Sequence, residues 1–148
     1  MFRGAINIPH GLAVWLFTPG PNTDEDWRAY CDALTEVTVV LANHASPFAV
    51  QVVDPKSEDP NAKWRREIAE ISANAPTRST IVLVSKSTMV RAAVKAISWL
   101  RPPTYILKIV GSEKEAFDLA RAESPARGAL GRTMLDELRS LHASSKKY

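Results

Sequence analysis

Apolar residues recur along this chain in two rhythms, and each rhythm predicts its own kind of element. Ile81-Val82-Leu83-Val84 is an unbroken, largely β-branched run without polar alternation, the pattern of a strand covered on both faces of a parallel sheet. It predicts a central strand. Phe48 to Asp54 and Tyr105 to Val110 read as two more strands, the first ending in an acid and the second broken by Gly111. Phe2 to Ile8 and Leu12 to Phe17 flank the breaker Pro9-His10-Gly11 and predict an opening β-hairpin.

Between these runs the spacing changes to that of amphipathic helices. Trp27, Tyr30, Cys31, Leu34, Val37 and Leu41 predict a helix from about Asp24 to about Asn43. Thr23 and Asp26 open it as the acidic variant of a capping box, and the β-branched residues from Thr35 to Val40 weaken its end. Trp64, Ile68 and Ile71 mark a second helix. Met89, Ala92, Ala93, Ala96, Ile97 and Leu100 mark a third, stopped by Pro102-Pro103. Ser112 with Glu115 opens a fourth through Phe117, Leu119 and Ala120. Ser124-Pro125 starts the last, which carries Leu130, Met134, Leu135, Leu138 and Leu141, with Gly128 and Gly131 weakening its first turns.

The order β-β-α-β-α-β-α-β-α-α implies βαβ units, right-handed crossovers and an α/β fold with a mostly parallel sheet behind an N-terminal hairpin. A chain of 148 residues with 45% hydrophobic content suits one compact domain, and no internal repeat or linker marks a second. The net charge of +3, from 19 basic and 16 acidic residues, is too small and scattered to predict a nucleic-acid face, and Lys146 and Lys147 read as a solvated tail. With one cysteine, Cys31, no intramolecular disulfide is available. No apolar run has the length of a membrane span, and Met1 to Gly11 lacks the apolar core of a signal peptide, so a cytoplasmic address is expected.

Candidate chemistry is sparse. Ser85, Lys86, Ser87 and Thr88 sit where a parallel strand meets a helix N-terminus, the place where free N–H groups favour an anion, and Arg91 lies one turn further on. The plainer reading of the hydroxyls is N-capping, and of Arg91 a solvated helix face. Asp54 at a strand end is a candidate carboxylate, with only Glu58 and Asp59 near it in sequence. His10, His44 and His142 show no zinc spacing, so neither a metal nor a cofactor is expected. Cys31 and the four tryptophans, Trp15, Trp27, Trp64 and Trp99, are expected in the core. The leucine stripe of the last helix either packs on the sheet or, left exposed, marks a homodimer or partner face.

Several local motifs fall in this frame: Trp-x-x-Tyr from Trp27 to Tyr30, Val-Val-Asp from Val52 to Asp54, Ser-x-x-x-Arg-x-x-x-x-Ala-Ile-x-Trp-Leu from Ser87 to Leu100, and Ser-Glu-x-Glu-Ala from Ser112 to Ala116. With the element order, they resemble the STAS domain of anti-anti-sigma factors and the wider SpoIIAA-like group, to which the lipid-binding CRAL-TRIO domain is often compared. The resemblance covers Phe2 to Glu123, taken as the STAS-like domain (residues 1–123), with residues 124–148 as an appended helix and tail. It implies a non-enzymatic regulatory or interaction domain that binds a protein partner around the loop after Asp54 and the N-terminus of the Ser87 helix. The alternative it implies is a binder of a small anion, nucleotide or lipid at the same strand ends. Regulatory STAS domains carry an Asp-Ser-Ser/Thr-Gly run whose hydroxyl residue is phosphorylated. Here the loop is Asp54-Pro55-Lys56-Ser57-Glu58-Asp59-Pro60-Asn61, in which Ser57 is the one candidate for phosphorylation. A catalytic reading would require Asp54, Ser85 and a histidine within hydrogen-bond reach of one another.

Overall fold

The computed structural model describes residues 1–145. The tail lysines Lys146 and Lys147 lie outside them. Five strands form one sheet in the order β1-β2-β3-β4-β5, made of β1 (Phe2–Asn7), β2 (Leu12–Phe17), β3 (Phe48–Val53), β4 (Thr80–Val84) and β5 (Ile106–Val110). β1 runs antiparallel to β2 across the expected hairpin, and every later pair is parallel. The Ile81 to Val84 run lies inside the sheet, flanked by β3 and β5, and β3 is the middle strand.

Helices α1 (Asp24–Val40), α2 (Ala62–Ser72) and α3 (Thr88–Leu100) lie on one face, and α4 (Glu113–Glu123) and α5 (Pro125–Ser145) on the other. Crossovers of one hand carry α1, α2 and α3 to the same side, and only after β5 does the chain cross to the second face. On the first face Ala13, Trp15, Phe17 and Ala49 meet Trp27, Tyr30, Cys31 and Leu34 of α1 and Trp64 and Ile68 of α2. On the second, Leu12, Val14, Val50 and Val82 meet Phe117 and Ala120 of α4 and Met134, Leu135 and Leu138 of α5.

Local sequence sets the helix ends. Thr23 and Asp26 close a reciprocal capping box at α1, and a second Asp26 oxygen accepts from the Phe2 N–H at 3.1 Å, tying the helix to β1. The end of α1 is three residues shorter than Asn43 requires: the Thr35 and Thr38 hydroxyls bond back to the Cys31 and Thr35 carbonyls, a habit that weakens a helix already rich in β-branched residues. Asn61 caps α2 and Ser112 caps α4.

Gly128 and Gly131 have a packing reason. A Cβ on Gly131 would stand 2.7 Å from the Phe117 ring, and one on Gly128 would stand 2.9 Å from the Arg121 side chain, so these glycines let α5 lie close against α4. The α5 stripe is thereby consumed in the chain's own core: Met134, Leu135 and Leu138 are buried and only Leu141 is exposed. The apolar surface that a homodimer contact through this helix requires is already occupied.

At the opposite end of the strands an arginine does the joining. Arg127, 2% exposed, donates to the His10 and Ser46 carbonyls at 2.8 Å each and lies over the Phe48 ring. It thus holds the start of α5 to the β1–β2 turn and the α1–β3 connector. His44 lies beside it, and Gly11, at φ +61°, passes directly under the His44 ring.

Candidate functional site

The expected site residues gather at the C-terminal ends of the strands, though most are occupied with one another. An open groove of about 440 Å³ is lined by Asp54, Ser85, Lys86, Glu113, Arg139 and His142, among others. The Asp54 carboxylate accepts from the Lys56 N–H at 2.8 Å, shaping its own turn. The Ser85 hydroxyl accepts from the Ser87 N–H at 3.1 Å, and the Ser87 hydroxyl accepts from Val90 as the N-cap of α3. Arg91 donates to the Ser85 carbonyl at 3.3 Å and clamps the same turn, while Thr88 is exposed beside it. Glu113 and Arg139 form an ion pair across the groove. The groove therefore carries both signs of charge, largely matched, with its hydroxyls spent on capping. It brings Asp54, Ser85 and His142 to one cavity, and no hydrogen bond joins Asp54 to Ser85.

Ser57 is not on a mobile loop. It is 7% exposed, its hydroxyl accepts from the Asn22 amide at 3.0 Å, and its strand bridge with Gly20 pins the loop to the β2–α1 connector. In this conformation the candidate phosphorylation hydroxyl is covered by its amide partner.

The larger departure is α3. Its expected stripe of Met89, Ala92, Ala93, Ala96, Ile97 and Leu100 is split: Ala93 and Ile97 face the sheet and Ala96 is half-buried, whereas Ala92 is exposed, Met89 is 67% exposed and Leu100 50%. Trp99, expected in the core with the other three tryptophans, is 76% exposed, with Lys95 against its ring. Val90, Ala93, Val94 and Ile97 point inward, so the helix is apolar on two sides. Two apolar faces at helical spacing leave the inward one undetermined by pattern alone. The neighbouring edge strand β5 also shows Ile106 and Ile109 to solvent.

Charge is segregated along this part of the sequence, although Arg101 pairs with Glu70 of α2 and Arg78 bonds the His44 carbonyl. From Ile71 to Ser112 there is no Asp or Glu, and six basic residues fall there: Arg78, Lys86, Arg91, Lys95, Arg101 and Lys108. The small overall charge conceals this, because the rest of the chain is acidic on balance.

Beneath α3 lies a second, partly open cavity of about 80 Å³ between the helix and the sheet. Most of its wall is apolar, from Phe17, Leu83, Val90 and Ile97 among others. Gln51 interrupts the otherwise apolar β3 and lines this wall, accepting from the Tyr30 hydroxyl at 2.7 Å. Burial pushes the Tyr30 hydroxyl far above its ordinary value and also raises Tyr105, against which the Ser72 hydroxyl acts. Both phenols are therefore neutral in the physiological range. Asp59, at the edge of this cavity, is raised by burial and by Glu58, with Arg65 opposing. The signal for this cavity in the sequence was Gln51 itself, one polar residue on a strand otherwise made of Phe, Ala and Val.

Cys31 is buried and its thiol is pushed up to about 11, chiefly by burial, which leaves it without thiolate character. Among the described residues no group of three His, Cys, Asp or Glu side chains is placed to hold a metal ion, and no helix is long and apolar enough to cross a membrane. No protein family, curated protein or solved structure matches this chain.

Proposed function

We propose that this protein is a non-enzymatic interaction domain of STAS-like type that binds an extended acidic segment of another protein at the corner formed by α3 and β5. The observation that carries the reading is the outward apolar face of α3, with Trp99 at its end. Exposed tryptophan is a residue type that anchors protein interfaces. The open edge of β5 adds a row of backbone donors and acceptors that only another polypeptide strand can pair, which favours a protein over a membrane surface. Lys95 on α3 and Lys108 on β5, in a stretch from Ile71 to Ser112 that holds no acid, favour an acidic partner. A second copy of this chain is a poor occupant, since joining two β5 edges would set Lys108 and its basic surroundings against their own copies.

The STAS-like assignment belongs to this reading. It is supported by the motifs from Trp27 to Ala116 and by the hairpin followed by alternating helices and strands. The partner surface now runs along the whole of α3, where the resemblance put it at the Ser87 end.

Selection from a displayed library of random peptides tests the proposal. Extended segments alternating apolar with acidic residues are the expected outcome, with binding weakened by salt and reduced at least about tenfold by Trp99→Ala. Recovery of no segment, or of segments indifferent to Trp99→Ala and to Ile109→Asp, would overturn it.

A further inference from the structure

The cavity beneath α3 has the make-up of a small-molecule site: apolar walls with a few convergent polar groups. One polar element of its wall is the half-buried Gln51 amide, seated in register between Trp15 and Leu83 on the middle of the sheet. That amide uses its oxygen on Tyr30, and its Nε2 group makes no bond to the described residues. Every other polar group facing the interior is neutral, comprising the Tyr30 and Tyr105 hydroxyls, Ser72 and Ser98. The charges at the rim, Glu58 and Asp59, are both carboxylates.

We infer that this cavity binds a small uncharged molecule, a single ring or short hydrocarbon carrying one hydroxyl or carbonyl oxygen, with that oxygen accepting from the Gln51 Nε2 group. Anions are excluded because the walls hold no cation and the rim repels them. A guest of ring size displaces α3 outward by a small amount, since the cavity is about half the roughly 150 Å³ that encloses benzene elsewhere. The helix is built to allow this: among its residues only Val90 is buried. The inference concerns the inner face of α3 and does not rest on the partner proposed for its outer face.

Phenol is the probe, and charged benzoate is compared with uncharged benzamide of its own size, each titrated into the full chain while amide NMR signals and the melting temperature are followed. Phenol should raise the melting temperature saturably and move the signals of Gln51, Val90, Val94 and Ile97, with benzoate at least tenfold weaker than benzamide. Ala93→Phe, which fills the cavity, should abolish the effect, and Gln51→Leu should weaken phenol at least fivefold. Should Ala93→Phe fail to fold, Gln51→Leu and the signal map decide. No saturable phenol response, equal binding of benzoate and benzamide, or phenol binding untouched by both substitutions would overturn the inference, whatever the peptide selection yields.

Discussion

Helix α3 and the α4–α5 pair both carry apolar residues toward the sheet and are seated very differently. α4 and α5 lie tight on the sheet and on each other, with Gly128 and Gly131 removing the side chains that would hold them apart. α3, the more apolar helix by composition, buries one residue fully, covers a cavity with its inner face and turns Met89, Trp99 and Leu100 to water. Apolar content therefore does not measure how firmly a helix is held. Close approach does, and the surplus apolar surface on α3 is the part free for other molecules.

Substitutions should separate the two layers sharply. Leu135→Ala, in the sealed layer, is expected to cost about 2–5 kcal/mol by urea denaturation, whereas Trp99→Ala should change stability by no more than about 0.5 kcal/mol. A large loss for Trp99→Ala would mean that the outer face of α3 is structural. Gly131→Ala sharpens the same contrast. Overpacking against the buried Phe117 ring costs about 1–3 kcal/mol, and the better helix former returns about 1, so a net loss is expected. If the variant were more stable than the parent, the close approach of α5 to α4 would be dispensable.

Smaller effects should fall at the joints of the well-packed region. Asp26→Ala removes the capping box and the tie to the Phe2 N–H, at a cost of about 1 kcal/mol in equilibrium unfolding. His44 supplies a pH signature. Burial first, then Arg127 and Arg78, hold its imidazole below the ordinary 6.5, so the folded protein favours the neutral ring. The unfolded chain takes up the proton first as pH falls. The contribution is thus fully present above pH 6.5 and is lost as pH drops from there through the folded value. Unfolding curves across that window should show the slope in the parent protein and a reduced slope in His44→Gln.

The sequence rendered the strands and most helix boundaries readable, because those depend on short-range signals: the apolar runs, the capping residues at Thr23, Ser87 and Ser112, and the Pro102-Pro103 stop. The capping roles of Ser85 and Ser87 were legible for the same reason. What was not legible depends on distant parts of the chain. The inward face of α3 is chosen by its seat beside α2 over β4 and β5, and the helix offers two apolar faces to choose from. The role of Arg127 has no local signal, because its partners, the His10 and Ser46 carbonyls, lie more than eighty residues away. Ser57 looked mobile in an acidic, proline-bounded loop until Asn22, from another connector, was found bonded to it. The strand-end residues do meet in one groove, but the exposed apolar surface lies along α3.

Native-state hydrogen exchange on the full chain, read residue by residue, puts the loose corner to the most direct trial. The account predicts that α3 and the outer edge of β5 exchange through local openings well below the global unfolding free energy, while the α5 amides from Leu130 to Leu138 exchange only with global unfolding. Addition of a selected acidic segment should slow α3 and β5 and leave α5 unchanged. Equal protection of α3 and α5 in the free protein, with no change on adding the segment, would contradict it.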